Sequence, residues 1–198
     1  IYGLRLGTGA PYVSAFKNIF LDNIGYAVHV DSTAYASFYL NLFRGNNGND
    51  GTYDPMTVQV DDPFHECQWD VDGTGNYWAD WTSPDGDGDG IVDVPYGTGG
   101  EEGYLDLFPL SHPFGAPTGL QCTVGPDFVN LTWGDLSYDF SNGVDGYFIY
   151  RGATLDSLNL LASTTDVWYN DTMVSLGQEY IYRVSAYKAA EEGALSDW

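Results

Sequence analysis

The chain has 198 residues, of which 43% are hydrophobic and 16% aromatic, a composition that supports a folded core and excludes a disordered polymer. Six lysines and arginines against 28 aspartates and glutamates give a formal net charge of −22, which repels nucleic acid and anionic lipid. No run of 18 apolar residues is present, so the sequence predicts no membrane-spanning helix.

A repeat occupies the start of the chain, where NIFLDNIG at 18–25 returns 23 residues later as NLFRGNNG at 41–48. Asparagine, phenylalanine, asparagine and glycine recur at equivalent positions, and a fixed period of this length is typical of a solenoid. Short β-branched and aromatic stretches lie between the matches. The pattern predicts a right-handed parallel β-helix over residues 1–50, with Phe20 stacked on Phe43 inside and asparagine stacked on asparagine at the turns.

Two such coils are too few for a stable solenoid, since about three or more are needed. We therefore expect further coils before Ile1 in a longer protein, or a neighbour that covers this end. Residues 51–114 are rich in glycine, aspartate and proline and do not continue the period. They predict an irregular cap over the last coil, to which Trp69, Tyr77, Trp78 and Trp81 contribute large flat side chains.

Within this cap, DGDGDGIVDVPYG at 85–97 has three alternating aspartates, a glycine after the third, and a fourth aspartate four residues further on. This is the spacing of a calcium loop. Tyr96 stands where an EF-hand places its bidentate glutamate, so we expect a weaker site, with a Kd on the order of 10⁻⁴ to 10⁻³ M. The alternative is an Asp/Gly turn without an ion. The predicted Ca²⁺ ligands are Asp85, Asp87, Asp89, the backbone carbonyl of Ile91, and Asp93.

Four segments of this region, CQWDVDG at 67–73, GNYWADW at 75–81, the 85–97 loop and LDLFPLSHPF at 105–114, resemble the C-terminal signature of NosD-like β-helix proteins. The resemblance covers about residues 12–116. It implies a secreted, archaeal-type β-helix protein at the cell surface. The positions that match the signature are Gly75, Asn76, Tyr77, Trp78, Asp80, Asp87, Gly88, Asp89, Gly90, Asp93, Pro95, Tyr96, Asp106, Pro109 and Leu110.

GAPTGL at 115–120 predicts a short linker, and strand-like runs with turn signals follow it at regular spacing. This predicts an all-β sandwich over 117–198 that resembles a fibronectin type III domain. The resemblance implies that Trp133 is the core tryptophan of the second strand. It also implies that Tyr180 is the tyrosine of the corner that precedes the sixth strand.

Cys67 and Cys122 are either paired in a disulfide or two free thiols, and the alternation of Cys122 with Leu120 and Val124 predicts a buried position on a strand. Asn130 and Asn170 each begin an Asn-x-Thr sequon, which allows glycosylation if the protein is exported. Asn130 lies in a strand, so it is accessible only if it faces outward.

We expect no catalytic site in this chain. The two coils offer only Asp22, Asp31 and the nearby His29 as acid–base groups, and no phosphate loop, nucleophile elbow or HExxH motif is present. A rival hypothesis is glycan binding by at least two coplanar exposed aromatic rings, or an active site for polysaccharides in upstream coils. The sequence favours a calcium-stabilised structural or adhesive module of a secreted or cell-surface protein, such as an envelope component or filament subunit, which partners with itself or with other surface proteins.

Overall fold

The computed structural model describes residues 2–7, 9, 12–31, 35–64, 66–98, 105–136 and 143–198. The described residues form strands and two short 3-10 turns, Asn46–Gly48 and Leu155–Ser157, and contain no α-helix. The prediction of an all-β protein is therefore confirmed. The chain divides into two compact units, Ile1–Pro113 and Phe114–Trp198.

The first unit is built from parallel strands that stack in coils. Strands β1, β4 and β7 form one parallel sheet, β2 and β5 a second, and β3, β6 and β8 a third. Partners in the β2-β5 and β3-β6 pairs are 23 residues apart, as in Val13↔Ala36 and Phe20↔Phe43. The predicted parallel β-helix and its period are thus confirmed for the first two coils. The strands are β1 Leu4–Leu6, β2 Val13–Phe16, β3 Ile19–Leu21, β4 Val28–Val30, β5 Ala36–Tyr39, β6 Leu42–Arg44, β7 Val60–Asp61, β8 Tyr77–Trp78, β9 Tyr96–Gly97 and β10 Leu105–Asp106.

A third coil continues the helix beyond residue 50, so the prediction that all of 51–114 is an irregular cap was wrong in its first part. Strand β7 pairs with β4, Gln68 bridges to Ser37, and β8 pairs with β6. Inserted residues lengthen this coil, since Phe43 pairs with Trp78 rather than with a residue 23 positions on. The insertion breaks the period and hides the coil from a repeat search. The antiparallel pair β9 and β10 follows it.

A column of aromatic rings runs through the core of this unit. Phe20 stacks on Phe43 with centroids 5.0 Å apart, Phe43 on Trp78 at 4.3 Å, and Trp78 on Tyr96 at 4.0 Å. Offset stacking in a buried site adds to the free energy gained by burying the rings themselves. Trp69 and Trp78, which the sequence assigned to the cap, are core residues of the third coil and are almost fully buried.

The second unit is a two-sheet antiparallel sandwich with sheets β11-β12-β15 and β14-β13-β16-β17, the three-plus-four arrangement of a fibronectin type III domain. Trp133 is buried against Tyr147, with ring centroids 5.4 Å apart. The Tyr180 hydroxyl accepts a hydrogen bond from the backbone N–H of Ser175 (3.3 Å), as in a tyrosine corner. The strands are β11 Gln121–Val124, β12 Val129–Thr132, β13 Gly146–Gly152, β14 Asn159–Thr164, β15 Trp168–Asp171, β16 Ile181–Lys188 and β17 Glu191–Glu192.

A buried polar cluster joins the two sheets of the sandwich. The Tyr182 hydroxyl and the Arg151 guanidinium each donate to Oδ2 of Asp171 at 2.7 Å, and Asp171 is inaccessible to solvent. Burial alone would raise the pKa of Asp171. The hydrogen bonds and the charge of Arg151 outweigh burial and lower this pKa below its usual value. The carboxylate is therefore a paired, structural anion.

No disulfide joins Cys67 and Cys122, which decides between the alternatives that the sequence left open. Cys67 is buried, and burial followed by the charge of Asp62 raises its pKa to about 12, so it is not a reactive thiolate. The prediction that Cys122 is buried was wrong. Cys122 lies on β11 opposite the buried Leu131, but β11 is an edge strand whose four residues are all exposed.

Candidate functional site

Two ladders of hydrogen-bonded side-chain amides cross the coils of the β-helix, and each ladder ends at the cap. In the first ladder, the backbone N–H and the Nδ2 of Asn18 both donate to Oδ1 of Asn41, at 3.0 and 3.1 Å. Asn41 donates in the same way to Oδ1 of Asn76, at 3.2 and 2.9 Å. Asn76 donates to Oδ2 of Asp106, at 2.7 and 3.1 Å. The ladder thus runs in one direction and ends on a buried carboxylate.

The second ladder has the same construction. Asn23 donates to Oδ1 of Asn46 from its backbone and its Nδ2, at 3.3 and 2.8 Å. Asn46 donates to Oε1 of Gln59, at 3.4 and 2.9 Å, and Nε2 of Gln59 donates to Oδ1 of Asp80 at 2.6 Å. The other oxygen of Asp80 accepts from Asn49 Nδ2 at 2.8 Å. This ladder also ends on a carboxylate.

An ionised carboxylate accepts hydrogen bonds and donates none, so each terminal aspartate satisfies the last amide without leaving a donor unpaired. Burial raises the pKa of Asp80, and it raises the pKa of Asp106 to about 6 against the opposing effect of the N–H donors around it. At the opposite end, Oδ1 of Asn18 and Oδ1 of Asn23 are the positions at which a further coil would donate. Each ladder therefore ends in an acceptor on both sides, of which the Asp106 carboxylate is buried.

Four of the residues that carry the NosD-like resemblance, Gly75, Asn76, Trp78 and Asp106, meet at the end of the first ladder. Besides Asn76, Trp78 donates through Nε1 to Oδ2 of Asp106 at 2.9 Å. A Cβ at Gly75 would lie 1.9 Å from Oδ1 of Asp106 and 2.5 Å from the carbonyl oxygen of Phe108, so only glycine fits. The Gly-Asn-Tyr-Trp motif and Asp106 are thus in direct contact. Their spacing along the chain did not predict this contact.

The aspartate loop lies directly beside this end. Asp85, Asp87 and Asp89 each place a carboxylate oxygen within 4.8 Å of the others. Asp85 is held by three donors: Gly88 N–H to Oδ1 at 2.9 Å, and the Ser111 hydroxyl (2.9 Å) and Gly90 N–H (3.2 Å) to Oδ2. The Ser111 hydrogen bond first, and then the backbone donors, lower the pKa of Asp85. This arrangement presents carboxylate oxygens at the density that suits a hard divalent cation.

The other two predicted ligands are placed differently. Oδ2 of Asp93 accepts from the backbone N–H of Gly86 at 2.9 Å, which closes the loop, and Asp93 is not among the three clustered carboxylates. Ile91 donates its N–H to Oδ1 of Asp89 at 2.8 Å and bridges to Leu110. Reasoning from the sequence did not identify Ser111, whose hydroxyl anchors the loop to the last segment of the signature. The available signal was its position directly after the Pro109-Leu110 pair.

The acid–base residues of the coils form a separate cluster. His29 has Nδ1 2.7 Å from Oδ2 of Asp61 and Nε2 3.1 Å from Oδ1 of Asp31, and Arg5 donates to Asp31. Arg5, His29 and Asp61 are register partners in the β1-β4-β7 sheet, so these contacts link successive coils. The hydrogen bond from Arg5 lowers the pKa of Asp31. Both ring nitrogens of His29 are engaged, so the cluster is a structural network between the coils, made of the Arg5–Asp31 ion pair and the hydrogen bonds of His29.

Exposed aromatic rings on the β2-β5 sheet occur in pairs. Tyr12 stacks on Tyr35 with centroids 5.7 Å apart and planes 29° apart, and Phe16 stacks on Tyr39 at 5.2 Å and 14°. Rings stacked from coil to coil cover each other's faces and do not lie side by side in one plane. The coplanar platform that glycan binding requires is therefore not formed by these pairs.

No family model matches the chain, and no curated protein matches it significantly. Among solved structures, the chain is similar to an Fn3-like protein from Clostridium thermocellum at 29% identity, covering 41% of this chain and 83% of that one, with a TM-score of 0.35. It is also similar to the pectate lyase PelI from Erwinia chrysanthemi in complex with tetragalacturonic acid, at 24% identity, 41% and 27% coverage and a TM-score of 0.36.

A structure of titin kinase and its flanking domains is similar over 42% of this chain and 16% of that chain, at 20% identity and a TM-score of 0.38. This chain therefore spans less than a third of the length of the titin and lyase structures. In the part of the chain that the structure describes, no helix has the length and apolar character needed to cross a bilayer.

Proposed function

We propose that this chain is a non-catalytic structural module of a secreted or cell-surface protein, which terminates a NosD-like parallel β-helix and continues into a fibronectin type III spacer. The observation that supports this most strongly is the ending of both amide ladders in aspartates, the buried Asp106 and the half-buried Asp80. A residue that only accepts hydrogen bonds completes a ladder, whereas another asparagine or glutamine would require one more coil. The module would serve in an envelope component or adhesin, where rigid length is useful.

The polarity of the ladders limits how copies can assemble. A second copy cannot extend the ladders from the capped side, because Asp106 and Asp80 have no donor for the acceptors of Asn18 and Asn23, and Asp106 is also buried. Two copies that join at their Asn18 and Asn23 ends would place these same acceptors opposite one another, so the ladders do not favour that contact either. A filament would have to use other surfaces, such as the sandwich edge strands.

We expect sedimentation velocity over a wide range of protein concentrations to show a monomer, because neither end of the ladders offers the donors that stacking of two solenoid ends would need. An open-ended series of larger species that disappears when residues 114–198 are deleted would be attributed to the sandwich edges. A series that persists in residues 1–113 alone would contradict the terminating role.

We further propose that the loop binds Ca²⁺ through Asp85, Asp87 and Asp89, with the carbonyl of Ile91 and the carboxylate of Asp93 completing the ligand set after a small rearrangement. The ion would neutralise carboxylates that otherwise repel each other. Because Asp85 is hydrogen-bonded to Ser111, binding would also tie the loop to the end of the cap. A millimolar affinity suits an extracellular location, where calcium is abundant.

Calcium should therefore raise the melting temperature of the β-helical unit at fixed ionic strength. With a Kd of about 1 mM, about 10 mM calcium contributes roughly 1.4 kcal/mol relative to chelator. The measurement is differential scanning calorimetry of the wild type and of Asp87→Ala/Asp89→Ala, in which the shift should disappear. Asp127→Ala/Asp156→Ala removes the same charge from the sandwich and should keep the shift. An equal shift in both double variants, or a shift reproduced by sodium chloride, would refute the site.

A further inference from the structure

None of the residues that the three paired strands β11, β12 and β15 direct outward carries a charge, although the chain as a whole is acidic. In each antiparallel pair, directly opposite residues share a face. Val129 and Leu131 are buried on the inner face, so Asn130 and Thr132 point outward together with their cross-strand partners. This outward set is Gln121, Thr132 and Trp168 in one row and Thr123, Asn130 and Asn170 in the next.

The two sequon asparagines are direct cross-strand neighbours. Asn130 on β12 pairs with Asn170 on β15, and directly opposite residues have Cβ atoms about 4.5–5.5 Å apart. Two pyranose rings with their substituents cannot stand side by side in that space. Asn170 is exposed and lies on an edge strand, whereas Asn130 is half-buried on the central strand. Asn170 is therefore the more accessible of two mutually exclusive acceptors.

Trp168 is the one large apolar side chain of this face, and 51% of its surface is exposed. It lies two residues before Asn170 on the same strand, which places the two side chains about 7 Å apart on the same side of the sheet. An indole of this size exposed among amides and hydroxyls gains free energy when an apolar surface covers it. The C–H face of a sugar ring attached to Asn170 has the size and reach to do so.

We propose that Asn170 carries an N-linked oligosaccharide whose first sugar packs on Trp168, and that Asn130 stays unmodified on the same molecule. In the step that attaches it, Nδ2 of Asn170 forms a bond to the anomeric carbon of a lipid pyrophosphate-linked oligosaccharide. The bond from that carbon to the pyrophosphate oxygen breaks, the lipid pyrophosphate leaves with the electron pair, and the amide proton passes to a base of the transferase. This inference goes beyond the proposed structural role and relies on it only for access to the transferase.

The occupancy test is secretion of the full chain, behind a signal peptide, from a eukaryotic host that makes N-glycans. Release by an amidase in ¹⁸O-water converts each occupied asparagine to a labelled aspartate, which peptide mass spectrometry assigns to its position. We expect the label at Asn170 and none at Asn130. In Asn170→Gln, the label should appear at Asn130 in a minority of molecules or not at all.

A control sequon shows whether an empty Asn170 reflects an inaccessible site or a host that does not glycosylate this chain. Leu176→Asn/Gln178→Thr creates one in an exposed turn of the same unit. An empty Asn170 beside an occupied control overturns the proposal, and so do peptides in which both Asn130 and Asn170 are labelled. Because the signal peptide imposes export, none of these outcomes depends on the proposed location, which the calcium experiment tests separately.

The role of Trp168 is tested by comparing the melting temperature of the sandwich before and after amidase release. The glycan should raise it by about 2–5 °C in the wild type and in Trp198→Ala, a control that removes another exposed tryptophan. The rise should vanish in Trp168→Ala. An equal rise in Trp168→Ala would overturn the stacking. Saturable binding of free chitobiose to bacterially produced protein, with Asn170 empty in the secreted protein, would assign the face to a bound glycan instead.

Discussion

We expect the substitution Gly75→Ala to unfold the β-helical unit and to leave the melting transition of the sandwich unchanged. The added Cβ would lie 1.9 Å from Oδ1 of Asp106 and 2.5 Å from the backbone oxygen of Phe108, both far inside van der Waals contact. Asp106 cannot move away, because Asn76 and Trp78 donate to its other oxygen. Relief of the overlap breaks the end of the first ladder, at a cost of about 4 kcal/mol or more. The measurement is calorimetry, in which the first transition should be shifted strongly downward or lost.

Gly7→Ala is the matched control in the same unit. Gly7 has no heavy atom within 4 Å of an ideal Cβ, and neither Gly7 nor Gly75 has a positive φ, so the pair differs only in the space available. The control should change the free energy of unfolding by no more than about 0.5 kcal/mol. A wild-type melting curve for Gly75→Ala would show that Asp106 does not occupy the position described here.

The coils could be predicted from the sequence because their contacts repeat. The stacking of Phe20 on Phe43 and the hydrogen bonds from Asn18 to Asn41 join residues of the same type at one fixed offset. Residues of the same type that recur at one offset are visible in a single sequence, because each coil packs against its neighbour in the same way. The sandwich strands were predictable for a different reason, namely alternating hydrophobicity bounded by turn residues.

The cap was less predictable because its contacts do not repeat. Asn76 and Asp106 are 30 residues apart and differ in type, and the chain between them reverses direction in the β9-β10 pair. No periodicity marks such a contact. The resemblance to a known signature identified both residues, but only the structure shows that they touch. Cys122 illustrates a second limit, since alternation predicts which face a residue occupies and not whether an edge strand is covered.

Removal of the carboxylate in Asp106→Ala should destabilise the β-helical unit by about 3–5 kcal/mol. The variant removes the acceptor of the backbone N–H groups of Asn76 and Phe108 and of Nε1 of Trp78. Nδ2 of Asn76 keeps the carbonyl oxygens of Phe38 and Trp69 as acceptors. Each unsatisfied buried donor costs about 1–3 kcal/mol, and relaxation or entry of water recovers part of the sum. Urea unfolding followed by tryptophan fluorescence measures the difference. Asp70→Ala is a control at an aspartate outside the ladder, and it should lower the free energy of unfolding much less than Asp106→Ala.

The Asp106 carboxylate also makes the stability of the β-helical unit depend on pH, and the direction of this dependence follows from its pKa. Burial raises the pKa of Asp106 to about 6 in the folded state, against an ordinary value of 3.8. Because the folded pKa lies above the unfolded one, the contribution of Asp106 is fully present below about pH 3.8 and is lost as the pH rises through 6. The difference amounts to about 3 kcal/mol between these limits.

Other carboxylates act in the opposite direction, and the overall negative charge also changes with pH, so the wild type must be compared with Asp106→Asn. This variant keeps an oxygen for Asn76 and Trp78 but cannot titrate, and the amide that replaces Oδ1 meets the N–H of Phe108. The stability advantage of the wild type over Asp106→Asn should therefore shrink as the pH is raised from 4 to 7. An advantage that grows over this interval would mean that the N–H donors outweigh burial, and that the ladder ends on a permanently charged aspartate.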